Sequence, residues 1–151
     1  MLKMNSKKAI ENIRKYIIDN TIDGISDTID YLNSKWCDEE NAKDQVEYYS
    51  DILNAIENNE KNAFKKVAKA INDRFYDEKV KYNSTNATRQ QLFFDWCGGL
   101  PSFFDTCYYY NRSAVDDLGA ILEETEEEKA RFTESEAAEK LTYLIYRELN
   151  K

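Results

Sequence analysis

The chain of 151 residues has no histidine, one proline, four glycines and three cysteines. Without imidazole there can be no Ser-His-Asp triad, no Cys-His dyad and no histidine metal site. Zinc would have to be held by thiolates and carboxylates. The cysteines are Cys37, Cys97 and Cys107, with no C-x-x-C among them. Each sits in an aromatic or apolar setting, which predicts three reduced thiols packed as small apolar groups. So little glycine and proline disfavours the many turns of a β-sandwich or barrel. No window approaches the ~18 apolar residues of a membrane-spanning helix. The opening Met-Leu-Lys-Met-Asn-Ser-Lys-Lys lacks the apolar core of a signal peptide. A reducing cytoplasm is the expected location, and the sequons at Asn83, Asn86 and Asn111 read as chance matches. No P-loop, dinucleotide fingerprint or EF-hand occurs. The acidic runs Asp38-Glu39-Glu40, Asp77-Glu78 and Asp116-Asp117 place neighbouring carboxylates in different directions on a helix. No catalytic residue, metal or cofactor is therefore expected, and the chain does not read as an enzyme.

What the chain does contain is helix grammar. Hydrophobic residues make up 42 % and aromatics 13 %, enough to argue against wholesale disorder. A chain of this size hides roughly 68–70 % of its unfolded surface and needs no disulfide to fold. Ile10, Ile13, Tyr16 and Ile17 form one stripe, with Ser6 as candidate N-cap. A helix break is expected over 20–24, after which Ile25, Ile29, Leu32 and Trp36 continue at helical spacing. Val46, Tyr49, Ile52, Leu53 and Ile56 predict a helix starting within 38–42 and ending at a turn on Asn58-Asn59. Phe64, Val67, Ala68, Ile71 and Phe75 predict the next.

Residues 77–86 are polar and rich in cap formers, so they read as a loop between sub-regions 1–76 and 86–151 of a single domain. Thr85 or Asn86 is the candidate cap of a short helix carrying Leu92, Phe93 and Trp96, with Trp96 and Ile52 expected in the core. Residues 106–110 are the one β-like stretch. A short helix follows with Ala114, Leu118, Ile121 and Leu122, with Ser113 as its candidate N-cap. Thr133-Glu134-Ser135-Glu136 matches a capping box, and Ala137, Leu141, Leu144, Ile145 and Leu149 give the last helix its apolar face. The predicted fold is all-α, a bundle of six to eight helices with at most one minor strand.

The segment Trp96-Cys97-Gly98-Gly99-Leu100-Pro101-Ser102, followed by Tyr108-Tyr109-Tyr110 and a closing helix, resembles a group of small uncharacterised proteins of tailed phages and prophages. These share a W-x-x-G-L-P-S segment followed by a tyrosine cluster. The resemblance covers residues 87–149 and implies an origin in a phage or another mobile element. It carries over no catalytic residues. Read physically, the segment is a structural corner: glycines tolerate positive φ, Leu100 tucks back and Pro101 fixes the exit.

Charge is uneven. Residues 116–151 hold 11 acids and 5 bases, against 18 and 16 in residues 1–115. The excess centres on Glu123, Glu124, Glu126, Glu127 and Glu128. Its plainest reading is a solvated loop and helix start. The functional reading is an acidic ridge that occupies a basic nucleic-acid groove, anchored by Phe103, Phe104, Tyr108, Tyr109 and Tyr110. That reading predicts a non-enzymatic inhibitor of a host defence complex, of anti-CRISPR or anti-restriction type. Its partner would be a host defence protein or ribonucleoprotein, with no membrane involved. The alternative is a small nucleic-acid-binding accessory protein. Residues 61–81 carry seven bases against three acids, and Lys61, Lys65 and Lys69 share one helical face. A formal charge of −8 makes avid direct binding of nucleic acid unexpected.

Overall fold

The computed structural model describes residues 1–97 and 113–151. Helix α1 (Lys7–Leu32) opens on Ser6, whose hydroxyl accepts the Ala9 amide at 3.2 Å. It runs unbroken through the expected break at 20–24. The polar side chains there are satisfied inside the helix. Asn20 donates to the Tyr16 carbonyl at 2.8 Å, Thr21 to Ile17 at 2.6 Å and Thr28 to Gly24 at 2.8 Å. Ile17, Thr21, Gly24, Ile25 and Thr28 form a buried face. Packing along that face outweighs the ~1 kcal/mol cost of a helical glycine.

Helix α2 (Ala42–Glu57) begins inside the predicted window and ends at Asn58. Asn59 takes a φ of 51°, a left-handed position asparagine tolerates. Helix α3 (Ala63–Phe75) passes directly into a π-helical turn, Tyr76–Val80, where the sequence predicts a loop. Glu78 explains the extension. Its carboxylate accepts Arg74 Nε at 2.9 Å from one turn back and Trp96 Nε1 at 2.8 Å from the next helix. Helix α4 (Arg89–Cys97) starts from Thr88, not from Thr85 or Asn86. The Thr88 hydroxyl accepts the Gln91 amide at 3.2 Å and the Gln91 carboxamide accepts the Thr88 amide at 2.8 Å, a glutamine version of the capping box. Thr85 is instead turned to Asn83, whose Oδ1 accepts its amide at 3.1 Å.

Helix α5 (Ala114–Ile121), the single turn α6 (Glu126–Lys129) and α7 (Glu134–Leu149) complete the chain. The predicted box at Thr133 and Glu136 forms, both bonds at 3.1 Å. The described residues thus hold seven α-helices, one π-helical turn and no strand, the all-α bundle that the periodicity predicts. The β-like stretch 106–110 and the corner at 98–102 lie outside the described residues.

Helix α1 packs against α2, α3, α5 and α7, and α7 also takes α3, α4 and α5. One contiguous apolar cluster joins Ile13, Ile52, Ile71, Phe93, Leu118 and Leu141 across both sub-regions. Phe93 centres an aromatic group, its ring centroid 5.3 Å from Phe75 and 5.2 Å from Tyr146. Ile52 is buried as predicted, whereas Trp96 is only half-buried. The indole sits at the rim of this group because its N–H is drawn to Glu78.

Candidate functional site

The acidic run after α5 is built into the fold. Glu123 takes a φ of 54°, turning the chain back so that the Glu124 amide reaches the Gly119 carbonyl at 2.8 Å. The Glu124 side chain is 1 % exposed and ion-paired with Arg131, whose guanidinium lies 4.5 Å over the Phe132 ring. Expectation put Glu124 in solvent; instead it is the buried half of an ion pair. Thr125 and Glu128 form a second capping box at 3.2 and 3.0 Å, which opens α6. Hydrogen bonding from the Thr125 amide holds the Glu128 carboxyl below the usual carboxylate range. Glu126 accepts from Lys129 at 2.9 Å. The Lys129 stem crosses Gly119, where an added Cβ would lie 2.7 Å from two of its carbons. Glu123 and Glu127 are exposed and have no ion pair among the described residues. Phe103, Phe104, Tyr108, Tyr109 and Tyr110, the other half of the predicted surface, lie outside the described residues.

The basic face divides. Lys69 is tied to Asp73 at 2.5 Å, Lys66 to Asp51 at 3.0 Å and Arg74 to Glu78 at 2.9 Å. The hydrogen bond to Asp73 keeps the Lys69 ammonium above its usual range. Lys61 and Lys65 are exposed without an ion pair among the described residues. Of the three lysines that share a face, two are therefore unneutralised.

One prominent exposed feature is hidden by helical spacing. Helix α1 ends at Leu32, so Trp36 leaves the apolar stripe on which its spacing placed it. The Ser34 hydroxyl donates to the Tyr31 carbonyl at 2.6 Å and the Cys37 amide donates to the Ser34 carbonyl at 3.3 Å. This turn leaves the indole 76 % exposed, with Lys35 Nζ 4.9 Å above its ring. Tyr31 is exposed beside it, and Asp38, Glu39 and Glu40 follow at the surface. Desolvation, and then the negative field of Cys37, Asp38 and Glu39, pushes the Tyr31 phenol above its ordinary range. Glu39 also lines a groove of about 430 Å³ with Tyr48, Tyr49, Lys69, Asp73 and Asp77. Tyr48 and Tyr49 meet edge to face at 5.2 Å. The signal for this corner is the Asn33-Ser34 pair, which stops the helix one turn before Trp36.

A larger cleft of about 640 Å³ lies between α4 and α7, lined by Met4, Thr88, Gln91, Phe94, Lys140 and Tyr143. Its walls also carry Glu136 and Glu139, and the Glu136 carboxylate is already engaged in the capping box with Thr133. Cys37 is a free thiol, Cys97 is buried in the core, and Cys107 lies outside the described residues. Among the described residues no cluster of acids and cysteines could hold a metal ion. No helix there is long and apolar enough to cross a membrane. No family model, curated protein or solved structure matches the chain.

Proposed function

We propose that this protein is a non-enzymatic inhibitor of a host defence complex, of anti-CRISPR or anti-restriction type, acting in the bacterial cytoplasm by binding a basic protein or ribonucleoprotein surface. The phage or mobile-element origin behind that class rests on the resemblance of residues 87–149. The binding mode rests on one observation, the 76 % exposed Trp36 set between Tyr31 and the carboxylates Asp38, Glu39 and Glu40. A tryptophan offers one of the largest apolar contact areas of any side chain, and such residues are enriched among interface hot spots. Carboxylates around it steer encounter with a cationic partner. The contact surface is therefore the α1–α2 corner and its adjoining groove, in place of the 123–128 run, whose Glu124 and Glu128 are consumed by the fold.

The test is inhibition of purified CRISPR effectors and restriction enzymes, with binding followed by interferometry. Wild type should inhibit one of them, weaken with added salt, and lose at least tenfold in affinity in Trp36→Ala. Inhibition unchanged by Trp36→Ala would exclude the corner as the contact. Absence of inhibition across the panel would exclude the class.

A further inference from the structure

Glu148, near the end of α7, has a side chain wholly removed from solvent. Three cations converge on it. Arg14 Nε reaches Oε1 at 3.1 Å, and Arg147 Nε and Lys151 Nζ reach Oε2 at 3.2 and 2.7 Å. Two of these nitrogens share one oxygen and so lie within about 6 Å of each other, a range at which like charges repel strongly near a protein surface. One carboxylate balances one of three charges. The side chains of the node therefore carry two surplus positive charges, in a chain whose formal charge is −8.

The donors are also unspent. The bond to Glu148 uses the Nε–H of Arg14, and neither of its Nη groups has a hydrogen-bond partner among the described residues. Lys151 gives one of its three N–H groups to Glu148. Arg147 gives Nη2 to the Met4 carbonyl at 2.8 Å as well. Arg14 and Lys151 remain 43 % and 41 % exposed. The Arg14 guanidinium lies 4.8 Å from the centre of the Phe64 ring on α3, which limits its motion. Beside it on α1, Lys15 is already tied to Asp19 at 2.6 Å, and Glu11 makes no ion pair among the described residues.

We propose that this node binds a phosphate group, carried by a small molecule or by a nucleic-acid backbone. The phosphate accepts the outward N–H groups of Arg14 and Lys151, and buried Glu148 is the positioning residue that gathers the cations. The surplus of cationic side chains attracts a phosphate anion, and a guanidinium fork suits its oxygens. The site is separate from the α1–α2 corner and does not rest on that reading.

The experiment titrates the full chain at low salt with inorganic phosphate, by calorimetry and by NMR of the arginine Nε–H signals. Saturable binding that shifts the Arg14 signal is expected, falling at least tenfold in the double variant Arg14→Gln/Lys151→Gln. Lys15→Gln and Trp36→Ala should bind as wild type does. Circular dichroism checks folding, and Lys151→Gln alone, at an exposed residue beyond α7, provides a milder variant expected to lose at least threefold. An unphosphorylated oligothymidine that displaces phosphate identifies a phosphodiester backbone as the source. Failure to displace it identifies a small phosphate compound, and both results support the site. No saturable phosphate binding, or binding unchanged in both variants, overturns it.

Discussion

Two acidic runs of similar appearance do opposite things in this molecule. The run from Glu123 to Glu128 is partly drawn into the fold, through Glu124 and Glu128, while Glu123, Glu126 and Glu127 stay at the surface. A left-handed residue folds the chain back, Glu124 is covered and paired with Arg131, and Glu128 closes a capping box. The run Asp38-Glu39-Glu40 turns outward at a helix corner, beside an exposed tryptophan. The difference lies in what each turn supplies. After α5 the chain offers an orphan amide, a threonine and an arginine, so carboxylates are recruited as structural acceptors. Between α1 and α2 the local bonds are made by Ser34 and the backbone, which leaves the acids to solvent. A dense acidic run is thus weak evidence for a binding surface until its backbone partners are known.

Charge reversal is the sharpest way to break this comparison, and its effect should be largest in the inward run. Reversing Glu123, Glu124, Glu126, Glu127 and Glu128 to Lys leaves Arg131 facing a like charge and destroys the α6 cap. Breaking a buried pair costs about 3–5 kcal/mol and loss of a cap adds about 1 kcal/mol. Because Arg131 is partly exposed, we expect a total near the lower figure, about 3 kcal/mol. Urea denaturation measures it. A five-site variant as stable as wild type would show that the run is a free surface after all.

Dissecting one element of that run gives a smaller effect. Thr125→Ala should cost about 1 kcal/mol in the same denaturation experiment, the usual value for a threonine cap. The pH dependence has a definite sign. The Glu128 and Glu136 carboxyls are lowered by the amides and hydroxyls of their capping threonines. Burial raises that of Glu148, but hydrogen bonds from Lys151, Arg14 and Arg147 outweigh it and leave the carboxyl lowered. A depressed folded-state value means that the folded form holds fewer protons. These contributions are complete above the ordinary carboxylate value of about 4.3 and disappear as the pH falls through the lower folded values. The melting temperature should therefore drop between pH 5 and about pH 2, and Glu128→Gln should flatten part of that drop. An identical pH profile in Glu128→Gln would detach the capping carboxylate from acid stability.

The helices were legible because their signals are local. A stripe such as Val67, Ile71 and Phe75, or a box such as Thr133 to Glu136, is decided within one or two turns. The misreadings share a different cause, a partner distant in sequence or a satisfaction that composition does not reveal. Asn20, Thr21 and Gly24 look like a break, yet their groups are absorbed by i−4 carbonyls and a packed face. The π-helical turn depends on Glu78 meeting Trp96, eighteen positions away, and the same bond draws Trp96 to the rim. Thr125-Glu126-Glu127-Glu128 is a capping box written in plain letters, obscured by the acids around it. Candidate sites fared worse than elements for the same reason. Whether Glu124, Lys69 or Glu148 is free or paired depends on Arg131, Asp73 and Arg14, and a charge count cannot pair them.

The smallest stability change belongs to the outward run and carries the largest functional one. Asp38, Glu39 and Glu40 make no ion pair among the described residues, and Trp36 contributes little to the core. Surface substitutions of this kind usually change stability by no more than about 0.5 kcal/mol each. Trp36→Ala and the triple reversal of Asp38, Glu39 and Glu40 to Lys should therefore unfold in urea within about 1 kcal/mol of wild type, the margin allowing for several small terms. Binding should respond differently to the two. Loss of the indole removes an apolar anchor, so Trp36→Ala should weaken the complex mainly through faster dissociation, with little change in salt dependence. Reversal of the carboxylates should slow association and flatten its dependence on ionic strength, because steering acts before contact. Interferometry at two salt concentrations separates these signatures. If both variants bound with wild-type rates, the corner would be an exposed turn without a partner.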